Sequence, residues 1–168
     1  LFDKDSSTPL WSYETGDEVW SVAISADGEY ITAGGKDKKV YLFDKDSSTP
    51  LWSYNTNYHV QSVSISADGE YISAGGNSNN AYLFDKDSGT PLWNYAASQT
   101  VRTVAISSDS AYIIAGSSDN KVYFFDRGSS TPLWSYETGG DVYSVTISAS
   151  GEYIAAGSED DIVYLFDK

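Results

Sequence analysis

A repeat of 41 residues runs through the whole chain and constrains its fold more than any other feature. The segment LFDKDSSTPLWSY begins at Leu1 and again at Leu42, close variants begin at Leu83 and Phe124, and LFDK at Leu165 starts a fifth copy. The first two units are identical at 29 of 41 positions without a gap. A period of this length indicates a domain built by stacking equivalent units. We therefore treat residues 1–168 as a single unit of four repeats, with residues 165–168 starting a fifth: 1–41, 42–82, 83–123 and 124–164.

Each repeat carries the pattern of four short β-strands. Strands are predicted at VWSVAIS, YITAGG, KVYLFDK and PLWSYNT, which are residues 19–25, 30–35, 39–45 and 50–56. The Asp27–Gly28 pair favours a tight hairpin turn, and the Asp-Ser-Ser-Thr-Pro cluster ends the third strand. No stretch shows the apolar spacing of a helix, and a solenoid would need shorter coils without hairpin turns. We therefore predict an all-β chain that forms a β-propeller of four-stranded antiparallel blades, with four blades of about 41 residues per chain.

Residues that recur at fixed positions are expected to hold the blades together. Val22, Ile24, Ile31 and Ala33, with their counterparts in the other repeats, are assigned to a core within each blade. One glycine per repeat falls in the second strand, where the absence of a side chain lets blades approach closely. These glycines are Gly34, Gly75, Gly116 and Gly157.

Two known blade families share these motifs. LFDKDSGTPLW, from Leu83 to Trp93, resembles the tryptophan-docking motif of quinoprotein-like (PQQ-like) propellers, with Asp85 and the Ser88–Gly89 turn at the family's spacing. VWSVAISADGEYITAGGKDKKVYLFD, residues 19–44, resembles a WD-repeat blade, although it lacks the Gly-His pair and ends in Phe-Asp rather than Trp-Asp. Together the resemblances imply a propeller over the whole chain. They also imply an extracellular or cell-surface setting, which the residues themselves leave unassigned.

A tryptophan recurs once in every repeat, at Trp11, Trp52, Trp93 and Trp134. The PQQ-like resemblance implies that each indole docks against the neighbouring blade. Burial of such a ring contributes about 2–3 kcal/mol, which favours a structural blade-docking role. A stacking platform for sugars or bases is the alternative.

The connection between the fourth strand and the first strand of the next blade varies from repeat to repeat. In propellers this connection lies on the face where ligands usually bind, near the central channel. The variable residues are therefore our candidates for ligand binding at the pore mouth, and they are Trp20, Tyr58, His59, Gln61, Arg102 and Tyr143. The alternative is that variation accumulates here because packing demands least of these positions.

Composition excludes several classes of function. The chain has 24 acidic and 10 basic residues and a net charge of −14, which argues against binding nucleic acid or an anionic membrane surface. It has no cysteine, so disulfides, thiolate metal sites and thiol nucleophiles are excluded, and no apolar run approaches the length of a membrane span. The repeated aspartates, such as Asp44 and Asp46, fit Asx-turns better than a calcium loop.

Catalysis has no support in the sequence. His59 is the single histidine, and no repeated acid or hydroxyl accompanies it in a triad-like order. The residues with which quinoprotein dehydrogenases hold their quinone have no counterpart here. We expect no catalytic residue, no metal and no cofactor, and we keep a fragment of a quinoprotein-type oxidoreductase as a remote alternative.

The phase of the repeat bears on how the ring closes. The chain opens in a third strand, continues through a predicted fourth strand at Pro9–Thr15, and ends in a third strand, so the last blade, from about Val142, lacks an outer strand. Pairing of the unmatched strand with the gap would close a four-bladed ring within one chain or an eight-bladed ring in a homodimer. We favour the homodimer, in which each chain is a half-propeller. Leu1–Lys4 and Leu165–Lys168 then compete for one strand position.

The functional prediction is accordingly a non-enzymatic propeller that serves as a scaffold or protein-interaction module and assembles with itself by strand exchange. A binder of small ligands or glycans at the pore mouth is the alternative. The chain begins with Leu1, from which we expect an excised or engineered piece.

Overall fold

The computed structural model describes residues 7–168, and fifteen β-strands follow one another along that part of the chain. They are β1 (Val19–Ile24), β2 (Tyr30–Gly35), β3 (Lys39–Asp44), β4 (Trp52–Asn55), β5 (Val60–Ile65), β6 (Tyr71–Gly76), β7 (Asn80–Asp85), β8 (Pro91–Ala96), β9 (Val101–Ile106), β10 (Tyr112–Ser117), β11 (Lys121–Asp126), β12 (Trp134–Glu137), β13 (Val142–Ile147), β14 (Tyr153–Ser158) and β15 (Val163–Asp167).

The strands form four antiparallel sheets in which each strand pairs with the next one along the chain. Strands β1–β4, β5–β8 and β9–β12 form four-stranded sheets, and β13, β14 and β15 form a three-stranded one. This pairing confirms the predicted all-β fold of antiparallel blades. The predicted strand ends in the first blade differ from the observed ones by at most two residues. For example, β4 begins at Trp52 rather than at Pro50, whereas β8 of the second blade begins at the equivalent proline, Pro91.

Most buried side chains lie between neighbouring sheets. One cluster joins Val40 and Leu42 of the first blade to Val60, Val63 and Ile72 of the second. Equivalent clusters join the second blade to the third and the third to the fourth. The blades are therefore layers that bury one another, as expected for stacked repeats.

The predicted core within each blade is wrong. Val22 and Ile24 of the first blade are 67% and 52% exposed, whereas Val63 and Ile65, at the same positions of the second blade, are buried. A single sheet has two faces and no interior, so an apolar face is buried only where another layer covers it. Ile31 and Ala33 are covered because Trp11 and neighbouring aromatic rings lie on that part of the first blade.

The predicted strand at Pro9–Thr15 is also wrong. Pro9 forms an isolated bridge and residues 10–15 belong to no strand. The outer edge of β3, the nearest edge in sequence, is already paired with β4. The predicted competition between Leu1–Lys4 and Leu165–Lys168 cannot be followed, because Leu1–Lys4 lie outside the described range.

The first strand of every blade contains a β-bulge. In β1 the register with β2 shifts between Val19 and Ser21, so Trp20 is the extra residue, and the other three blades shift at the same place. Valines three residues apart, such as Val60 and Val63, are both buried, which regular two-residue alternation would not allow. The bulge brings both valines to the face that meets the preceding blade.

Candidate interaction surfaces

At the internal junctions, a tryptophan from the outer strand of one blade docks on the next blade. Trp52 Nε1 donates a 2.8 Å hydrogen bond to the Lys86 carbonyl oxygen, and its ring centroid lies 5.3 Å from that of Phe84. Trp93 Nε1 makes the equivalent 2.7 Å bond to Arg127. The indole thus ties an outer strand to the turn that follows the third strand of the next blade.

The segment of residues 7–15 lies on the first blade as an outer strand of a preceding blade would. Trp11 Nε1 donates a 2.6 Å bond to the Lys45 carbonyl oxygen, and the indole lies 5.4 Å from the Phe43 ring. The Gly16 N–H donates to Asp37 Oδ2 at 3.3 Å, as the Ser98 and Gly139 amides do to aspartates of their next blades. The segment therefore makes the interblade contacts of an outer strand without belonging to a sheet.

The recurring glycines make room for a valine of the next blade. A Cβ atom at any of the first three glycines would lie 2.5–2.6 Å from a valine Cγ1 atom, which is too close for any side chain. The pairs are Gly34 with Val60, Gly75 with Val101, and Gly116 with Val142. At Gly157 of the fourth blade, a Cβ atom would have no described neighbour within 4 Å. The space beside Gly157 is therefore not filled by any residue from 7 to 168.

A tyrosine of the first blade and one of the third blade each lie over a turn of the next blade. Tyr30 covers Gly69 and Tyr112 covers Gly151, both glycines with φ near +70° in the hairpin between the first two strands. The guanidinium of Arg127 lies 4.6 Å from the ring centroid of the equivalent Tyr71, and the Lys168 ammonium lies 4.4 Å from that of Tyr112. Tyr112 is thus held between the turn at Gly151 and the Lys168 ammonium of the following blade.

The face of the first blade that has no described neighbour is apolar. Val19, Val22 and Ile24 are exposed there, and with Trp11 and Tyr13 they line an open groove of about 380 Å³. The same strand positions in the second and third blades are buried. We call this groove and its rim the first-blade face.

The opposite end of the array is apolar as well. Val163 and Leu165 of β15 are 81% and 74% exposed, and Tyr153 and Ile162 are half exposed beside them. No residue from 7 to 168 pairs with the outer edge of β15. We call this edge, together with Gly157 and Tyr153, the fourth-blade face.

The six candidate pore-mouth residues fall into separate groups. Trp20 and His59 meet edge to face with ring centroids 5.2 Å apart. Tyr58 and His59 line a shallow cavity of about 170 Å³ together with Lys38, Asn57 and Asn77. Gln61 Nε2 donates to Asn77 Oδ1 at 2.9 Å, so it lies beside the same cavity. These four candidates lie at the junction of the first two blades.

Arg102 and Tyr143 lie together at the junction of the third and fourth blades. Arg102 Nη2 lies 2.8 Å from Asp141 Oδ2, its Nε donates to Ser118 Oγ at 2.6 Å, and its guanidinium lies 5.0 Å from the Tyr143 ring centroid. These contacts fix the arginine between blades. Asp141 and Asn77 were missed in the sequence, because the first lies 39 residues from Arg102 and the second in another loop.

Carboxylates in the loops beside the candidate residues hold these loops by hydrogen bonds. Asp160 accepts hydrogen bonds from the Tyr164 hydroxyl at 2.6 Å and from the Gly139 amide at 2.6 Å, and these lower the pKa of the carboxyl. The pKa of Glu18 is lowered by the Trp20 indole N–H, which donates at 3.0 Å, and by Lys36. Burial and the hydrogen bond to Asp37 raise the pKa of Tyr41.

The aspartates after the third strand form the predicted Asx-turns. Asp44 Oδ1 accepts the Asp46 amide at 2.8 Å, and Asp85 and Asp126 accept the amide two residues on in the same way. Asp3 and Asp5 lie outside the described range. Residues 7–168 contain no group of three or more metal-binding side chains, and no helix in this part of the chain is long and apolar enough to cross a membrane.

The residues of the fourth-blade face were not singled out from the sequence. The positions of Val163 and Leu165 are apolar in every repeat, and their counterparts are buried. The exposure of Val163 and Leu165 follows from the phase of the repeat, which leaves the fourth blade one strand short.

Comparison with known families agrees with these blades. The model of a PQQ-like repeat family, described as outer membrane protein assembly factor BamB, matches residues 1–168. A search of curated proteins found no match.

Proposed function

Because this chain belongs to the PQQ-like repeat family described as outer membrane protein assembly factor BamB, we propose that it is a non-enzymatic β-propeller module for protein contacts, and that a second copy is its first partner. Two chains close an eight-bladed ring, and each supplies residues 7–15 as the outer strand of the other's fourth blade. The family description names an assembly factor, which supports a role in protein contacts.

The observation that carries the proposal is the exposure of two apolar faces at the ends of one array. Val19 and Val22 are exposed at one end, and Val163 and Leu165 at the other, although their counterparts inside the array are buried. Burying such a side chain contributes about 1.5–3 kcal/mol. An unpaired strand edge beside exposed apolar residues also favours pairing with another strand.

A ring of two chains fits these faces better than closure within one chain. Residues 7–168 of a single chain leave both faces open, which supports closure with a second chain rather than within one. The two faces are of different kinds, and each chain carries one of each, so two chains can bury all four faces at two equivalent junctions.

The solution mass tests the proposal. The chain has a mass of 18.3 kDa, and we expect light scattering after size exclusion to give twice that value. A mass of one chain at the highest soluble concentration would overturn the proposal. A mass that rises without limit with concentration would also overturn it, because it would indicate an open filament rather than a ring.

Ligand binding at the pore mouth is a second candidate function. The exposed Tyr58 ring beside His59 and Trp20, at the rim of the cavity described above, is a surface on which a sugar ring or a small aromatic ligand could pack. Thermal-shift screening with sugars and short peptides at millimolar levels tests it. We expect a stabilising shift that Tyr58→Ala removes and that Tyr136→Ala, at another exposed tyrosine, retains. No shift with the parent chain would rule this function out.

A further inference from the structure

We propose that the fourth-blade face accepts the first-blade face of a second copy in the same register as the three internal junctions. This inference rests on the proposed function and adds the residues that meet. Each internal junction repeats one set of contacts between consecutive blades. The two open faces carry the two halves of that set.

The first contact is a valine in the space beside a glycine. Val60, Val101 and Val142 fill this space beside Gly34, Gly75 and Gly116 at the internal junctions. One period further on, the space beside Gly157 is open, and one period back, Val19 is half exposed. Val19 of the second copy therefore fits beside Gly157.

The second contact is a tyrosine held between a turn and a cation. The unmatched tyrosine is Tyr153, and the unmatched turn glycine is Gly28, where a Cβ atom would meet nothing within 4 Å. At two of the internal junctions a cation that follows the third strand of the next blade lies against this tyrosine, as Arg127 and Lys168 do. In the first blade Lys45 holds this position. Tyr153 therefore lies over Gly28 of the second copy and against its Lys45.

The third contact is a strand at the outer edge of β15. In the first blade Lys39 lies opposite Asn55 and Leu42 opposite Trp52. Carried onto β15, this register sets Ile162 opposite Glu14 and Leu165 opposite Trp11 of the second copy. Residues 7–15 already lie on their own first blade as an outer strand would, so they meet β15 in the orientation it needs.

These contacts also give the junction a direction. Two fourth-blade faces brought together would place Gly157 against Gly157 and leave both spaces unfilled. Two first-blade faces would bring Val19 against another valine rather than into the space beside a glycine. Only a first-blade face on a fourth-blade face completes the three contacts, and an interface of this kind closes when the number of copies fits the ring.

Engineered cysteines test the strand register, because the chain has none of its own. Opposed residues in antiparallel strands have Cα atoms about 4.5–5.5 Å apart, which a disulfide can span. We expect the Glu14→Cys, Ile162→Cys variant to oxidise to a covalent species of twice the chain mass on a non-reducing gel. The Ser12→Cys, Ile162→Cys variant, two residues out of register, is the matched control. A disulfide within one chain, or equal yields in both variants, would overturn the proposal.

Gly157→Val tests the glycine contact without endangering the fold, because the added atoms find open space in the single chain. We expect the dissociation constant to rise at least tenfold while the unfolding midpoint of the dissociated chain stays unchanged. Ser53→Val is the control, since Ser53 and its counterparts Asn94 and Ser135 are all exposed. If the parent chain is a dimer and Gly157→Val associates equally well, this register is overturned while the proposed function stands. A monomeric parent would overturn both.

Discussion

The junction between the second and third blades and the two open ends of the array are built from the same residue types at the same positions. Val101 is 1% exposed at that junction, and Val19 at the first-blade face is 48% exposed. Leu83 is fully buried and Leu165 is 74% exposed. The difference shows that burial here belongs to a pair of blades and not to a strand, so each blade depends on the layer beside it.

The same difference holds for the backbone. β8 completes the second blade by pairing with β7, whereas residues 10–15 have the same kind of sequence and form no strand. Local propensity does not make a strand in the absence of an edge to pair with, because most of its stabilisation comes from cross-strand partners. The ends are therefore the places where a second chain can change the structure most.

The largest expected change in the free energy of unfolding follows from replacing a tryptophan at an internal junction. We expect Trp93→Ala to lower the free energy of unfolding by about 3–5 kcal/mol, because it removes a ring packed against Phe125 and a hydrogen bond across an internal junction. Trp11→Ala also removes a hydrogen bond and a ring contact within the dissociated chain, but its segment pairs with no sheet there, so the loss should be smaller, and association should weaken as well. Urea unfolding of dilute protein measures the first effect, and light scattering the second. Equal losses of stability would contradict the comparison.

A smaller effect is expected at the glycines. Gly75→Ala places a Cβ atom 2.5 Å from Val101 Cγ1, so the blades must move apart, and we expect a loss of about 1–3 kcal/mol. Gly157→Ala has open space and should change the unfolding free energy of the dissociated chain by less than about 0.5 kcal/mol. Urea unfolding of both variants at low concentration measures the contrast. A comparable loss in Gly157→Ala would mean that the fourth-blade face is already covered within the chain.

The blades were predictable from the sequence because the residue types of the turns indicate where each strand ends. The Asp-Gly pair occurs in two repeats and the proline after the third strand in all four, and these residues restrict the backbone through their own geometry. The strand ends in the first blade followed within two residues. The family resemblance rested on the same local motifs, and the match to PQQ-like repeats over residues 1–168 confirms it.

Contacts between blades were harder to predict, because they join residues about 40 positions apart that no local rule connects. The pairing of Arg102 with Asp141 is one such contact. The bulge at Trp20 did leave a trace, since Val19 and Val22 are spaced by three in a strand whose side chains alternate by two. Whether Pro9–Thr15 forms a strand could not be predicted from the segment itself, because a strand needs a pairing partner that its own sequence does not specify.

Ionic strength should change the association of the open ends more than it changes the stability of the internal junctions. The net charge of −14 on each chain opposes association, and salt screens this repulsion. Raising sodium chloride from about 50 to about 500 mM should lower the dissociation constant by about tenfold, since the Debye length shrinks to a few ångströms. The chemical unfolding midpoint of the Gly157→Val monomer should change little. Sedimentation equilibrium measures the first quantity, and weaker association at high salt would contradict the prediction.

The smallest effect concerns a turn that the fourth blade builds differently. In the first and third blades an aspartate between the first two strands accepts a serine hydroxyl and a backbone amide. In the third blade Asp109 Oδ1 accepts a hydrogen bond from Ser107 Oγ at 2.6 Å and another from the Ala111 amide at 3.1 Å. The hydrogen bond from Ser107 is the main cause of the lowered pKa of Asp109. The hydrogen bond from Ser25 lowers the pKa of Asp27 in the same way. In the fourth blade Ser150 stands at this position.

Ser150→Asp should therefore restore the turn and stabilise the fourth blade by about 0.5–1 kcal/mol at neutral pH, the contribution of a hydrogen bond in an exposed turn. Because the folded pKa lies below the unfolded value of about 3.9, the gain is fully present above that value and is lost as pH falls through the folded pKa. Differences in unfolding temperature between variant and parent, both carrying Gly157→Val, measure this at pH 7 and in acid. A gain that persists at the lowest pH would show that the added residue acts through something other than its ionised carboxylate.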